Sequence, residues 1–151
     1  MTKFFEIEPE VAGGTGEGTI YDHNVTPPAL SNLEYEFDDW FGDAILASFP
    51  CYIVTEQLAT ALRKSDLTGF EFDKVVITKS LEFDDLYHNK NGPLPNFEWL
   101  KIVGVPYKDD MGLDMGTSEN WHYRFMVSER ALDLFRKFGF NQGEIRSTVE
   151  V

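Results

Sequence analysis

The fold class is decided by residues 52–69, which read YIVTEQLATALRKSDLTG. The β-branched start at residues 52–54 predicts a short strand. Thr55 follows as a helix N-cap, and Glu56 lies in the first helical turn, where the positive end of the helix dipole favours an acidic side chain. One helical face is predicted to be buried, because three apolar residues have the i, i+3, i+4 spacing: Leu58, Ala61 and Leu62. The stretch therefore predicts a strand followed by a helix, with Gly69 ending the unit.

The same pattern recurs later in the chain, where residues 125–139 read FMVSERALDLFRKFG. Ser128 takes the place of Thr55 as the N-cap, and a strand over residues 145–150 is expected to follow. Each predicted helix also has a basic pair near its end, at residues 63–64 and 136–137. Two strand–helix–strand units are therefore predicted. They arise either from internal duplication or from independent use of the same capping chemistry.

Alternating apolar and acidic residues predict further strands on both sides of these units. Two of them lie at residues 5–7 and 33–37. A third, over residues 99–103, is apolar on both faces and is therefore expected to be central in its sheet. A fourth, over residues 70–78, is expected to kink at Asp73-Lys74, where its alternation slips.

The rest of the chain is predicted to consist of short helices and loops. Asp43 is expected to cap a short helix over residues 44–48, and Ser80 a second short helix. Residues 106–120 are expected to form a long loop. The predicted fold is one α+β domain spanning residues 1–151, with a mixed or largely antiparallel sheet and two or three helices packed on it.

The chain is strongly acidic, with 26 Asp and Glu residues against 13 Lys and Arg residues and a formal net charge of −13. Nucleic-acid binders normally present a basic face, and anionic membranes repel an acidic protein, so direct binding to either is not expected. The charge favours either simple solubility or the steering of a basic partner protein. Residues 1–6 lack the character of a signal peptide, and no apolar run approaches the roughly 18 residues of a membrane span. A cytoplasmic location is therefore expected.

No stretch has the spacing of a catalytic, cofactor or metal site, and none of these is expected. The Gly-rich residues 13–19 lack the lysine and hydroxyl of a phosphate-binding loop and are expected to be flexible. The three histidines lie apart from one another, and Cys51, between apolar residues, is expected to be a buried, inert thiol. Acidic pairs such as Asp84-Asp85 could converge into a carboxylate site, although adjacent acids more often cover a solvated surface.

Acidic and large aromatic residues adjoin in residues 38–43, which read DDWFGD. A turn is a poor place to bury two neighbouring aromatic rings, and the hot spots of protein interfaces favour Trp within a polar rim. The predicted partner-binding residues are Asp38, Asp39, Trp40, Phe41 and Asp43. The alternative is that Trp40, like Trp121, completes the core from its edge.

The segment over residues 127–132, with its weaker echo over residues 54–58, resembles a segment of immunity proteins of bacterial polymorphic toxin systems. Proteins of that family are small and cytoplasmic, and they neutralise a cognate toxin by binding it. The resemblance implies an α+β fold and an inhibitory protein–protein role. It covers only about residues 51–78 and 122–151, and it transfers no toxin-contact residue to this chain.

Three functions from different classes are compatible with these patterns. The leading hypothesis is a non-catalytic protein-binding domain, in its specific form an immunity-type inhibitor that occludes a basic toxin or nuclease. The second is a metal-dependent hydrolase that uses converging Asp and Glu carboxylates. The third is a self-assembling structural or regulatory subunit.

Overall fold

A computed structural model describes residues 2–151, which form thirteen strands and three helices. The strands are β1 (Lys3–Glu8), β2 (Gly13–Thr15), β3 (Ile20–Asp22), β4 (Ala29–Asn32), β5 (Glu34–Phe37), β6 (Ile45–Ser48), β7 (Cys51–Thr55), β8 (Phe70–Asp73), β9 (Val76–Lys79), β10 (Phe97–Ile102), β11 (Met111–Gly116), β12 (Trp121–Ser128) and β13 (Glu144–Glu150). The helices are α1 (Glu56–Lys64), α2 (Phe83–Leu86) and α3 (Glu129–Phe138).

The strands form three sheets and a separate hairpin. The first sheet has the order β11-β12-β1-β13, the second β6-β7-β10-β8 and the third β2-β5-β9, while β3 and β4 pair with each other. Every pairing between these strands is antiparallel except the parallel pair β5–β9. The predicted α+β class, with a largely antiparallel arrangement and three helices, is therefore confirmed.

The strand β7 of the second sheet is buried on both faces because a hydrophobic core lies on each side of it. All five residues of β7 are buried. Tyr52 and Val54 belong to a first core with the first sheet and helices α1 and α3, whereas Cys51 and Ile53 belong to a second core with the third sheet. The strand β10 lies between β7 and β8, which confirms the central position predicted from its continuous apolar run.

Both long helices begin at the predicted N-caps. The Thr55 hydroxyl accepts a hydrogen bond from the Leu58 N–H at 3.3 Å, and the Ser128 hydroxyl accepts one from the Ala131 N–H at 3.2 Å. In α1 the buried residues are Leu58, Ala59 and Leu62, so Ala59 takes the place that the spacing gave to Ala61. The helices contact each other and the strands that precede them, which places both apolar faces in the first core.

The two four-stranded sheets share one topology. In the second sheet the hairpin β6–β7 leads into α1 and then β8, and β10 lies between β7 and β8. In the first sheet the hairpin β11–β12 leads into α3 and then β13, and β1 takes the corresponding inner place. Because capping chemistry alone does not set strand order, this shared topology favours the duplication interpretation of the repeated sequence pattern.

Several expected features differ from the structure. The short helix α2 is preceded by Glu82 and has no side-chain hydrogen bond at its start, so Ser80 does not cap it. Residues 45–48 form β6, paired with β7, instead of a helix, and Asp43 caps no helix. Ile45 and Leu46 are both fully buried, and continuous burial removes the periodicity that separates a helix from a strand. The expected loop over residues 106–120 contains β11, and the expected kinked strand over residues 70–78 is two strands, β8 and β9, in different sheets.

The carboxylate of Asp110 connects the start of α3 to the loop after α1. It accepts hydrogen bonds from the Ser128 hydroxyl at 2.7 Å and from the Thr68 N–H at 2.9 Å, and the Arg130 guanidinium lies 3.2 Å away. Burial raises the pKa of Asp110, but these hydrogen bonds and the Arg130 charge together outweigh burial, so its pKa lies below the usual value. The ionised carboxylate therefore stabilises the fold.

Replacing Asp110 by Asn is expected to lower the free energy of unfolding by about 2 kcal/mol near neutral pH, because charge-assisted hydrogen bonds are lost. A depressed pKa contributes stability that is present above the unfolded-state value of about 4 and is lost as pH falls through the folded-state value. The difference between wild type and Asp110→Asn should therefore shrink in acid. Urea unfolding at about pH 7 and about pH 3 measures it.

The matched control for this prediction is Asp66→Asn. Asp66 pairs with the same Arg130 at 3.1 Å but is highly exposed, so its removal should change stability by no more than about 0.5 kcal/mol. A difference between wild type and Asp110→Asn that stays constant from neutral to acid pH would contradict the stabilising role of the ionised carboxylate.

Candidate functional site

Trp40, the predicted anchor of the interface, lies in the second core. Only 6% of its surface is exposed, and its indole N–H donates a hydrogen bond to the Asp43 carbonyl at 3.0 Å. Its ring packs edge-on against Phe97 and at a tilt against Tyr87. The prediction that Trp40 is a surface contact is therefore corrected, because the indole finds both its apolar neighbours and its hydrogen-bond acceptor inside the protein.

Asp43 is a second correction, since its carboxylate is fully buried and holds a loop of the protein itself. It accepts three backbone hydrogen bonds, from the N–H groups of Asn141 at 2.8 Å, Gln142 at 2.8 Å and Gly143 at 3.0 Å. These donors lie between α3 and β13. Asp43 therefore holds the loop that leads from α3 into β13, and its carboxylate is not available to a partner.

A second buried carboxylate, that of Glu10, shapes the same segment. It accepts hydrogen bonds from the N–H of Phe41 at 2.8 Å and from the N–H of Asp43 at 3.1 Å. Burial raises the pKa of Glu10, the two backbone hydrogen bonds lower it in part, and the net direction is upward. No local sequence pattern indicates this role, because Glu10 lies more than thirty residues from the groups it binds.

The other three predicted residues do reach the surface. Asp38 is exposed, and Asp39 is partly exposed and pairs with Lys90 at 2.9 Å. Phe41 is 52% exposed, and the Lys90 ammonium lies 4.9 Å from the centroid of its ring. The segment over residues 38–43 is thus divided. Trp40 and Asp43 support the fold, and Asp38 and Phe41 face solvent. Asp39 is intermediate, because its carboxylate also accepts a hydrogen bond from the Trp40 N–H at 2.8 Å.

Phe41 borders a surface depression that we call the groove, formed by two adjoining cavities. The first, of about 540 Å³, is lined by apolar residues that include Val11, Phe49, Trp121 and Tyr123 and is called the apolar end. The second, of about 270 Å³, is lined by Phe41 and by charged residues that include Glu8, Glu144 and Arg146 and is called the acidic end. The two cavities share Glu8, Pro9 and Val11, so they adjoin along this stretch of the chain.

The apolar end lies at an edge of the first core, where three large apolar side chains remain exposed. Trp121 is 47% exposed, Phe49 is 56% exposed and Val11 is exposed as well. The Phe49 ring packs edge-on against Tyr123, with the ring centroids 4.8 Å apart. Strand alternation places Trp121 on the same face of β12 as Tyr123, but at the end of the strand. Trp121 was expected to complete the core, but about half of its surface remains exposed.

The acidic end contains two carboxylates at directly opposed positions. Glu8 of β1 and Glu144 of β13 are partners in the antiparallel ladder, an arrangement that is unfavourable for like charges. The Arg146 guanidinium lies between them, 2.7 Å from the Glu8 carboxylate and 3.1 Å from that of Glu144. One cation therefore pairs with two exposed carboxylates, so the acidic end keeps a net negative charge.

The residues considered for other chemistry have structural partners or are buried. The Gly18 N–H donates to the Glu34 carboxylate at 2.8 Å, so the Gly-rich stretch is tied to β5 and part of it forms β2. His122 contacts the Asp114 carboxylate at 2.9 Å. Cys51 is buried as expected, and burial raises the pKa of its thiol to about 12. Over residues 2–151, no group of three or more His, Cys, Asp or Glu side chains is arranged to hold a metal ion.

No helix within residues 2–151 has both the length and the apolar character needed to cross a membrane. Comparison of the chain with protein-family models, with curated proteins and with solved structures found no match in any of the three. The fold and the groove therefore define this chain as an α+β protein with an exposed aromatic surface beside an acidic one.

Proposed function

We propose that this chain is a non-catalytic protein-binding domain whose partner is a basic protein. The observation that carries the proposal is the groove, where exposed Phe49 and Trp121 adjoin the opposed carboxylates of Glu8 and Glu144. Large exposed aromatic side chains are enriched in protein interfaces, and a polar rim around them is typical of such sites. The groove supports binding of a protein surface that is apolar at one point and cationic beside it.

The overall charge supports the same partner. A net charge of −13 attracts a basic protein over a distance and raises the rate of encounter at low ionic strength. Charges on the rim mainly affect association, whereas desolvated aromatic contacts mainly slow dissociation. The two parts of the groove would thus make different contributions to one complex.

In its specific form, the proposed protein is a cytoplasmic, immunity-type inhibitor of a basic toxin such as a nuclease. Inhibition would occur by occlusion: the acidic face covers the basic substrate-binding surface of the toxin, and an aromatic residue anchors the contact. This form rests on the sequence resemblance over residues 127–132 and on the acidity of the chain.

A capture experiment tests this function. Tagged wild-type protein is incubated with lysate of the source organism, washed at low salt and eluted at high salt, and the proteins eluted are identified by mass spectrometry. We expect one stoichiometric basic partner that salt releases, because exposed charge pairs are screened by salt. Expression of that partner alone should be toxic, and co-expression of this chain should restore growth.

The alternative hypotheses predict other results in the same preparation. A metal-dependent hydrolase would show a saturable rise in melting temperature with a divalent ion, and a self-assembling subunit would elute as a stable homo-oligomer. A captured basic partner that is harmless when expressed alone would remove the immunity-type form and leave the binding function in place.

A further inference from the structure

We propose that the groove binds one extended, basic segment of the partner, with a large apolar side chain in the apolar end and an Arg or Lys side chain in the acidic end. In the free protein, Arg146 occupies the place of that cation. This inference rests on the proposed function, because it specifies how the partner is recognised.

The apolar end is suited to a side chain and not to a flat surface. Its volume of about 540 Å³ falls in the range of about 300–1,000 Å³ typical of ligand pockets. The buried side chains of Ile7 and Phe125 contribute to its lining, while Phe49 and Trp121 stay half exposed. A side chain of Trp, Phe or Leu inserted there would cover the exposed parts of both rings.

The acidic end has the chemistry of a guanidinium site, and Arg146 demonstrates this within the protein. A single guanidinium nitrogen of Arg146 lies within 2.7 Å of Glu8 and 3.1 Å of Glu144. All three side chains are about half exposed or more, so a second cation can approach the same carboxylates. Guanidinium groups bind carboxylates through directed, charge-assisted hydrogen bonds, which selects Arg over a neutral residue.

The two ends are joined closely enough for one segment to reach both. Glu8, Pro9 and Val11 line both cavities and lie within four consecutive residues at the end of β1. An extended segment advances about 3.3 Å per residue, so neighbouring or nearly neighbouring side chains could enter the two ends. Charge complementarity therefore commits the occupant to a basic, extended stretch of a partner protein.

Removal of the Arg146 side chain is expected to strengthen binding of the partner, whereas removal of a side chain at a binding site usually weakens it. If Arg146 competes with the partner's cation, then Arg146→Ala should tighten binding, although it leaves Glu8 opposite Glu144 without a neutralising charge and so weakens the fold slightly. A residue with a purely structural role would produce weaker or unchanged binding when it is removed. Arg146→Lys retains the charge and is the matched control.

The experiment uses short peptides and the isotope-labelled, full-length protein. The probes are acetylated, amidated peptides that contain one Trp and one Arg separated by zero to about four glycines, a spread set by the extended rise per residue. A second set has Glu in place of Arg, and a third has Ala in place of Trp. Binding is followed by NMR titration of the backbone amides and of the Trp indole N–H groups.

We expect the Trp- and Arg-containing peptides to shift the Trp121 indole signal and the amide signals of Val11 and Glu144. The Glu-containing set should bind about tenfold more weakly, because a like charge replaces an attractive one. Arg146→Ala should bind the Trp and Arg peptides about threefold or more tightly than wild type, whereas Arg146→Lys should resemble wild type. If Arg146→Ala does not fold, Glu144→Gln provides the test and should weaken binding.

Equal binding of the Arg and Glu peptides, signal shifts confined to other surfaces, or a folded Arg146→Ala that binds no more tightly than wild type would each overturn the inference. The capture experiment distinguishes failure of the inference from failure of the proposed function. If groove variants capture the basic partner as wild type does, the domain binds through another surface, and only the inference falls.

Discussion

Replacing Asp43 by Ala is expected to lower the free energy of unfolding by about 3–5 kcal/mol, the largest single-residue effect on stability that we expect. The Asp43 carboxylate is fully buried and accepts three backbone hydrogen bonds from residues 141–143. Alanine would leave all three donors without an acceptor, and a partly buried N–H without a partner is costly. Urea unfolding followed by circular dichroism measures the change.

Asp38→Ala is the matched control, because Asp38 precedes the same turn but is exposed. It should change stability by no more than about 0.5 kcal/mol. Asp43→Asn retains one carbonyl oxygen as an acceptor and should fall between the two. An Asp43→Ala variant as stable as Asp38→Ala would contradict the role assigned to the buried carboxylate.

This result also constrains how the interface can be tested. A charge-reversal variant that includes Asp43 would lose partner binding because it unfolds, whichever surface the partner uses. Asp38 can be reversed safely, since it is exposed. Asp39 cannot, because its side chain is only 17% exposed, accepts a hydrogen bond from the Trp40 N–H at 2.8 Å and pairs with Lys90. Binding experiments on this segment should therefore be limited to Asp38 and Phe41.

Trp121→Ala is expected to weaken binding of the basic partner by about 30- to 1,000-fold, the equivalent of about 2–4 kcal/mol. About half of the Trp121 surface is exposed in the free protein, so a partner that covers it gains a large aromatic contact. Isothermal titration of wild type and variant with the purified partner measures the loss.

The effect of Trp121→Ala on the fold should be small by comparison, about 1 kcal/mol, because the ring lies at the end of β12 and is only half buried. Leu81→Ala is the control for exposure alone. Leu81 is 96% exposed, does not line the groove, and should affect neither stability nor binding. Loss of binding that only matches a comparable loss of stability would contradict a direct contact by Trp121.

The two long helices and the strands with clear alternation could be predicted from the sequence because their signals are local. Thr55 and Ser128 each cap a helix through a hydrogen bond to a residue three positions later, and that spacing is visible in the sequence. The strand at residues 45–48 could not be distinguished from a helix, since Ile45 and Leu46 are buried on opposite faces of one sheet.

The candidate site was harder to predict because its residues come from separate segments. The groove is bordered by residues 6–11, Phe41, Phe49, Trp121, Gln142, Glu144 and Arg146, and only the fold brings them together. Composition alone also could not separate Trp40 from Trp121, since both adjoin acidic residues in the sequence. Trp40 is buried because Asp43 offers an acceptor for its indole N–H, a contact that requires the folded turn.

Site-specific photocrosslinking tests whether a basic protein binds at the groove. Benzoylphenylalanine, a phenylalanine analogue, replaces Phe49 in one sample and Leu81 in another, which leaves Trp121 in place, and each tagged protein is irradiated in lysate of the source organism. We expect position 49 to crosslink one basic protein, with a yield that high salt reduces, and position 81 not to crosslink it. Crosslinking of the same protein from position 81 but not from position 49 would show that the partner does not bind at the groove.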